Sequence, residues 1–270
     1  MKTCFTVNCM RSHDDFVSYN ELIKAGMYQA VELFYPYNVS LNQALLYTKE
    51  VTNLVNNNPN LETVLHLPHG GKNDFINEDG SINNDTLKLM EDASTFASLF
   101  NVKKLTLHLG HAWGNMNRKD LLDKVLDQVK ILCKFTEKYG MYVMIENMPG
   151  DNELGYGIKE MEYIMKYMKK DTKNIKFILD TGHANCSSDN LNDYVSSLHD
   201  DLYHIHISDN NGLRDEHKAM YLGNIDFPSF FKTLNKYHYH ELHCLEIIFK
   251  NSNDLVRNYQ DVMKCNRYYQ

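Results

Sequence analysis

Eight short apolar runs alternate with segments of helical periodicity along this chain. The runs are rich in β-branched residues and lie near 4–10, 30–36, 62–68, 104–110, 142–147, 175–181, 202–208 and 242–248. The segments between them repeat apolar residues every three or four positions and predict helices at 14–26, 41–57, 83–100, 120–139, 158–170, 190–200, 226–237 and 252–268. Such alternation is typical of a parallel sheet with crossover helices.

The repeated units predict a closed barrel. No long hydrophilic linker separates them, and neither a GxGxxG nor a P-loop signature follows the first run, which argues against an open doubly wound sheet. A length of 270 residues suits one large α/β domain. We therefore predict the α/β class and a single (β/α)₈ TIM-barrel domain over 1–270. In this fold the active site lies at the C-terminal ends of the strands.

Charge and cysteine usage limit the partners and the compartment. The formal net charge of -7 provides no overall basic field for a polyanion, so nucleic acid is not the expected partner, although a local patch would escape this argument. Six cysteines are widely spaced without a CxxC pair, as expected of free thiols in a reducing compartment. The first residues, MKTCFTVNCM, do not resemble a signal peptide, and no stretch is apolar enough to span a membrane. We expect a cytoplasmic protein without a membrane partner; the sequence leaves its oligomeric state open.

Metal-ligand side chains accumulate where the predicted strands end. The nine residues are His69, His108, Glu146, Asp180, His183, His206, Asp215, His217 and Glu246. They are spread over nearly two thirds of the chain, so they converge only if the strand ends share one rim, as they do in a barrel. A single carboxylate at a strand end is often only a helix cap. Several at successive strand ends fit a shared site better.

Four of these residues form the expected metal site. They are Glu146 at the end of the fifth strand, Asp180 at the end of the sixth, and His206 and Glu246 within the seventh and eighth. Two glutamates, an aspartate and a histidine form a mixed oxygen and nitrogen set that suits Zn²⁺, Mn²⁺ or Mg²⁺. We expect one divalent ion.

Five further residues are candidates for substrate or additional metal contacts. His183 follows Asp180 in DTGH, and its alternative role is to cap or pack that loop. Asp215 and His217 form a D-x-H pair that lies on one side of an extended stretch, unless the stretch is only a charged surface loop. Candidates of the same kind are His69 and His108. We expect two other strand histidines, His66 and His204, to lie deeper, in the barrel core.

The motifs ENMPG, LDTGHA, IHISD, RDEH, LGNIDF and LEII, in this order and spacing, resemble the xylose isomerase-like TIM-barrel superfamily. The resemblance covers about 60–250. This superfamily contains sugar and inosose isomerases, ketose 3-epimerases and endonuclease IV. In its isomerase and epimerase branch, the residues that match Glu146, Asp180, His206 and Glu246 hold one metal ion. The resemblance implies that the two glutamates exchange the substrate proton and that His183 contacts the substrate.

The endonuclease IV branch is the alternative that the same resemblance supports. There the residues matching all nine positions hold three zinc ions that hydrolyse a phosphodiester at abasic DNA. Two departures argue against DNA here. The first strand continues into NCMRSHDD, and the loops that would enter DNA read LFYPYNVS and PHGGKND, with Gly70 and Gly71 after His69.

The sequence thus predicts a metal-dependent enzyme and leaves its reaction between two alternatives. The favoured one is an isomerase or epimerase of a small sugar, sugar phosphate or cyclic polyol ketone, with Glu146 and Glu246 as acid and base and an enediolate intermediate. The second is a trinuclear zinc phosphodiesterase of the endonuclease IV kind. A non-catalytic barrel that binds a sugar or a partner is a third reading.

Overall fold

The structure is a computed structural model that describes residues 1–113 and 116–269. Eight parallel strands form a closed barrel in chain order, and the last strand pairs with the first. The strands are β1 Lys2–Val7, β2 Ala30–Phe34, β3 Glu62–His66, β4 Lys104–Leu107, β5 Tyr142–Glu146, β6 Ile175–Asp180, β7 Leu202–Ile207 and β8 Leu242–Leu245. The predicted single-domain TIM barrel is confirmed.

Helices surround the barrel and alternate with its strands. They are α1 His13–Lys24, α2 Leu41–Asn57, α3 Asn84–Ser98, α4 Arg118–Glu137, α5 Ile158–Met168, α6 Thr181–Cys186, α7 Leu191–Leu198, α8 Phe227–Lys236 and α9 Ser252–Cys265. Short 3₁₀ turns occupy Gly71–Asn73 and Asn266–Tyr269. All eight predicted helices are present with small shifts at their ends. The sequence pattern did not predict α6, a single short helix that begins directly at the end of β6.

Two apolar layers arise from the alternation of side chains along each strand. One face of the strands packs against the helices in a large core that includes Phe5, Leu105 and Phe177. Residues of the other face form a smaller cluster inside the barrel, made of Cys4, Ala30, Val64, Met144, Ile178, Leu242 and Cys244. These apolar side chains fill the lower interior, so the polar rim residues rest on a packed floor.

An ion-pair cluster closes the barrel at the opposite end from the rim. Lys104 begins β4 and is almost fully buried. Its Nζ lies 3.0 Å from Oε1 of Glu62 and 2.8 Å from Oε2 of Glu241, and it also lies over the ring of Tyr203. A buried charge requires such partners, since burial without them would cost several kcal/mol or more. The cluster is structural and far from the candidate site.

Some predicted boundaries were wrong. All eight strands end one to three residues earlier than predicted. Because β8 ends at Leu245, Glu246 follows this strand instead of lying within it. The stretch around His217 is not extended, because this residue adopts a left-handed conformation with φ of 44°. No helix among residues 1–113 and 116–269 is both long and apolar enough to cross a membrane.

Candidate active site

Four side chains from adjacent strand ends converge at the barrel mouth. They belong to Glu146 at the end of β5, Asp180 at the end of β6, His206 near the end of β7 and Glu246 just after β8. One ligand atom from each lies within 4.8 Å of the corresponding atoms of the others. The structure therefore brings together the four residues that the sequence analysis grouped. Their role as metal ligands stays a prediction.

Nδ1 of His206 is the atom on which this group centres. It lies 2.9 Å from Oε1 of Glu146 and 2.8 Å from Oε2 of Glu246. Burial opposes a charged imidazole, but the charges of the two glutamates, together with that of Glu32, raise the pKa of His206 well above its usual value. The positive charge of the His206 imidazolium balances the negative charges of the carboxylates around it.

Asp180 supplies the observation that tests whether a metal ion fits. Its Oδ2 is buried and has no hydrogen-bond partner among the residues that the structure describes. Burial, with the nearby charges of Glu146 and Glu246, raises the pKa of Asp180 to about 7, although His183 opposes the shift. A divalent ion would satisfy this oxygen, and the mixed carboxylate and imidazole set suits such an ion. The residues present therefore fit a divalent metal.

A second group of potential ligands adjoins Glu146. Nε2 of His108 lies 2.9 Å from Oε2 of this glutamate, and Nε2 of His66 lies 3.8 Å from the same oxygen. The ring centroid of His69 is 4.6 Å from that of His108 and 4.7 Å from that of His66. The expected core histidine His66 is indeed buried, but it also faces the site. It joins His108 and Glu146 in a group that could hold an ion, which His69 does not.

A third group lies on the other side of the mouth. Oδ2 of Asp215 lies 2.7 Å from Nε2 of His217 and 3.4 Å from Nε2 of His183. Although burial opposes the charged form, the hydrogen bond to Asp215 and the charge of Glu246 raise the pKa of His217 to about 10. All nine rim residues of the sequence analysis thus lie in one contiguous region.

The side chain of Asn147 pairs with the backbone of β6 at the end of this strand. Asn147 donates from Nδ2 to the carbonyl of Asp180 at 3.0 Å and accepts from its N–H at 2.8 Å. This pair of bonds extends the strand pairing one residue beyond the end of β5. Asp180 then begins α6 as its N-cap, because Oδ1 accepts from the N–H of His183 at 2.7 Å. One aspartate oxygen is used for the fold and the other remains for the site.

The long loop after β7 is folded back over the mouth by Asp209. The backbone groups of Asp209 and Lys218 exchange hydrogen bonds of 2.9 Å and 3.0 Å, and the Asp209 carboxylate accepts from the N–H groups of Gly223 and Ile225. The carbonyl of His217 accepts from the N–H of Ile248 at 2.9 Å. These bonds hold Asp215 and His217 against the ends of β6 and β8.

The family described as the xylose isomerase-like TIM barrel matches residues 20–267. The chain belongs to this family. A relative is the protein MJ1311 of Methanocaldococcus jannaschii, 28% identical over 212 residues that make up 76% of this chain and 69% of that protein.

Solved structures show the same xylose isomerase-like fold. A D-tagatose 3-epimerase-like protein superposes with a TM-score of 0.80 at 24% identity over 100% of this chain and 98% of its own. The IolI protein with a binding zinc atom gives a TM-score of 0.77 at 14% identity over 100% and 99% of the two chains. At these identities the likeness establishes the shared fold.

Two residues of this xylose isomerase-like barrel escaped the sequence analysis. Asn147 lies in the quoted motif ENMPG, but its exchange of hydrogen bonds with Asp180 depends on the neighbouring strand and gives no local signal. Glu32 lies in AVELF on β2, where it is fully buried and bonded to Nε2 of His206. A charged residue in the middle of a buried strand must have partners, and that signal was present in the sequence.

Proposed function

We propose that this chain is a divalent-metal-dependent isomerase or epimerase of a small sugar, sugar phosphate or cyclic polyol ketone. The observation that carries the proposal is the placement of Glu146 and Glu246, whose carboxylates approach Nδ1 of His206 from the ends of two different strands. Membership of the xylose isomerase-like family and the fold shared with a D-tagatose 3-epimerase-like protein support it.

The residues that would hold the ion are Glu146, Asp180, His206 and Glu246. The buried and unpartnered Oδ2 of Asp180 supports this assignment. A bound divalent ion supplies Lewis-acid polarisation of a substrate carbonyl, which makes the neighbouring C–H more acidic. One ion is expected, and Zn²⁺, Mn²⁺ and Mg²⁺ all suit the ligand set.

The two glutamates would carry the proton. One carboxylate removes the proton from the carbon next to the carbonyl, and the electron pair of that C–H bond forms the enediolate. A proton is then returned either by the same group, now a carboxylic acid, or by the other glutamate in its protonated form. Return to the opposite face of the same carbon inverts it. Return to the neighbouring carbon moves the carbonyl, as the proton of the adjacent hydroxyl group passes to the former carbonyl oxygen. Both glutamates are held by hydrogen bonds within the site, so their positions are fixed before the substrate enters.

His183 would orient a substrate oxygen. Its Nδ1–H donates to the carbonyl of Asn147 at 2.8 Å, which fixes the ring and directs Nε2 toward Asp215 and the mouth. The imidazole is almost fully buried. A ring that is already oriented loses little entropy when it binds a hydroxyl or carbonyl oxygen.

Deuterium exchange tests the proposal without knowledge of the product. The protein is incubated in D₂O with Mn²⁺ or Zn²⁺ and a panel of ketopentoses, ketohexoses, their phosphates and inosose, and exchange next to the carbonyl is followed by NMR. We expect exchange with at least one compound and its loss after chelation. Glu146→Gln and Glu246→Gln should also lose the exchange. Glu50→Gln is their matched control and should keep it, since Glu50 is a buried carboxylate bonded to His13 outside the site. Absence of exchange across the panel would contradict the proposal.

A trinuclear zinc phosphodiesterase is the second candidate. The observation that favours it is the juxtaposition of three ligand groups: His66, His108 and Glu146; Glu146, Asp180, His206 and Glu246; and His183, Asp215 and His217. Glu146 belongs to two of these groups, as a bridging ligand would. Paired metal ions stabilise the attacking and leaving oxygens of a phosphodiester. Incision of a duplex with one abasic site by the zinc-loaded protein, absent from an intact duplex, would support this reading.

A further inference from the structure

Glu32 is a buried carboxylate beneath the proposed metal site. It lies in the middle of β2, is 0% exposed and points into the barrel. Its Oε2 lies 2.8 Å from Nε2 of His206, the histidine whose Nδ1 faces the rim carboxylates. The two nitrogens of one ring therefore contact Glu32 below and the site above.

The hydrogen bond to Glu32 selects one tautomer of His206. A carboxylate can only accept, so Nε2 must carry the hydrogen of this bond. Nδ1 also faces two carboxylates and carries a hydrogen when no ion is bound, but a metal ion would take the place of that hydrogen and bind the Nδ1 lone pair while Nε2 keeps its own hydrogen. From this geometry we infer that Glu32 is a positioning residue, which orients His206 and directs its Nδ1 lone pair toward the metal. The inference rests on the metal site of the proposed function.

Glu32 is itself held in place by two further donors. Its Oε1 accepts from Oγ1 of Thr106 at 2.7 Å, and its Oε2 also accepts from Nε2 of His204 at 2.9 Å. Thr106 lies on β4 and His204 on β7, so the carboxylate is fixed from two different strands. A histidine ligand bonded to a fixed carboxylate loses little freedom when it binds a metal, and such bonds also raise its basicity.

The same residues could instead form a second, fully buried metal site. Glu32, His204, His206 and Cys244 offer ligand atoms within 4.8 Å of one another. The hydrogen-bond partners argue against this reading. Both oxygens of Glu32 already accept hydrogen bonds, Oε1 from Thr106 and Oε2 from the two histidines, whereas Oδ2 of Asp180 in the rim group has no partner among the described residues.

Glu32→Gln tests the inference. A glutamine oxygen can still accept from both histidines while its N–H₂ group faces the Thr106 hydroxyl, but the amide carries no negative charge and therefore raises the basicity of His206 less than the carboxylate does. We expect the affinity of the Glu32→Gln protein for Zn²⁺, measured by competition with a chromogenic chelator, to fall about 10- to 100-fold. The visible spectrum of the Co²⁺-loaded variant should also change, because an altered His206 changes the ligand field. A purely structural effect would leave the spectrum of the bound ion unchanged.

Two controls separate the possible outcomes. Glu50→Gln makes the same chemical change at a buried carboxylate bonded to His13, and it should leave affinity and spectrum as in wild type. If Glu32→Gln does not fold, Thr106→Val decides, since it removes one bond that holds Glu32 and should weaken Zn²⁺ binding by a few-fold. If folded Glu32→Gln has the Zn²⁺ affinity and the Co²⁺ spectrum of wild type, the inference is overturned but the proposed function is not. The same holds for a wild-type Zn²⁺ affinity in Thr106→Val if Glu32→Gln does not fold. Failure of wild type to bind Zn²⁺, Mn²⁺ or Co²⁺ overturns both.

Discussion

Oδ2 of Asp180 lies 3.9 Å from Nδ1 of His206, and no hydrogen-bond donor among the described residues contacts this oxygen. The other oxygen of Asp180 caps α6, so the side chain cannot turn away without loss of the cap. An oxygen that is held in a buried position without a partner destabilises the protein unless an ion binds it. The same oxygen therefore lowers the stability of the metal-free protein and favours metal binding.

Asp180→Asn should raise the stability of the metal-free protein and weaken metal binding. The amide keeps the cap through its oxygen and places an N–H₂ group among carboxylates. We expect the free energy of unfolding to rise by about 1 kcal/mol, with a midpoint about 2–4 °C higher, and Zn²⁺ affinity to fall at least about 100-fold. Calorimetry of the chelated proteins and zinc titration measure both. A metal-free variant less stable than wild type would contradict the argument.

The two rim glutamates should be separable from the rest of the site by kinetics. Glu146→Gln and Glu246→Gln each remove a proton acceptor, so kcat for deuterium exchange should fall about 10²–10⁴-fold at saturating metal. The measurement requires a confirmed metal content, since both residues are also proposed ligands. Activity within a few-fold of wild type in either variant would exclude the two-base mechanism.

Metal content and His108→Ala distinguish the two candidate reactions. We expect about one divalent ion per chain in protein purified without chelator. Because Nε2 of His108 lies 2.9 Å from Glu146, its loss should lower isomerase activity about 10-fold through displacement of the glutamate. Three zinc ions per chain, with abolition of activity in His108→Ala, would instead favour the phosphodiesterase.

The strands and most helices could be predicted because their residues carry local periodicity. The runs on β3 and β6 continue into apolar or small residues after the strand, and this continuation explains the overestimated strand ends. The short helix α6 has no apolar stripe, since TGHANC is too short for one. Its formation depends on the cap by Asp180 and on contacts with β7.

The site was predicted from residue types at strand ends, and His204 was expected to lie deeper, but the partners beneath His206 were not predicted. Residues two positions apart on a barrel strand point inward in successive layers, so His204 and His206 face the same interior at different heights. Which residues of the other strands share a layer with His206 depends on the register between the strands. Glu32 and Thr106 lie on β2 and β4, far from His206 in the chain, and the register brings them together.

Gly110→Ala should destabilise the protein and disturb the two loops that form one side of the mouth. Gly110 has φ of +89°, and a Cβ there would lie 2.7 Å from Cγ of Asp74. Oδ2 of Asp74 accepts from Nδ1 of His111 and from Nε1 of Trp113, both at 2.8 Å, and so joins the loops after β3 and β4. We expect a loss of about 2–4 kcal/mol in urea unfolding.

Gly26→Ala is the matched control for Gly110→Ala. Gly26 has φ of +74°, but no atom of the described residues lies within 4 Å of the position that a Cβ would take there. Its replacement should therefore cost only the conformational strain of about 1 kcal/mol. Equal losses in the two alanine variants would show that the contact with Asp74 is not important.

Acid should weaken the fold through His243, a buried residue of β8 outside the proposed metal ligands. Burial lowers the pKa of His243 from 6.5 to about 3. The unfolded chain then binds a proton below about pH 6.5 that the folded protein excludes, so the stabilisation is complete above this pH and is lost as the pH falls toward 3. At pH 5 the loss from this residue is about 2 kcal/mol. His243→Phe, which keeps a ring against Phe231, should show a flatter dependence of unfolding free energy between pH 7 and pH 5. The exposed His240→Gln serves as control and should keep the wild-type slope, whereas equal slopes in His243→Phe and wild type would refute the assignment.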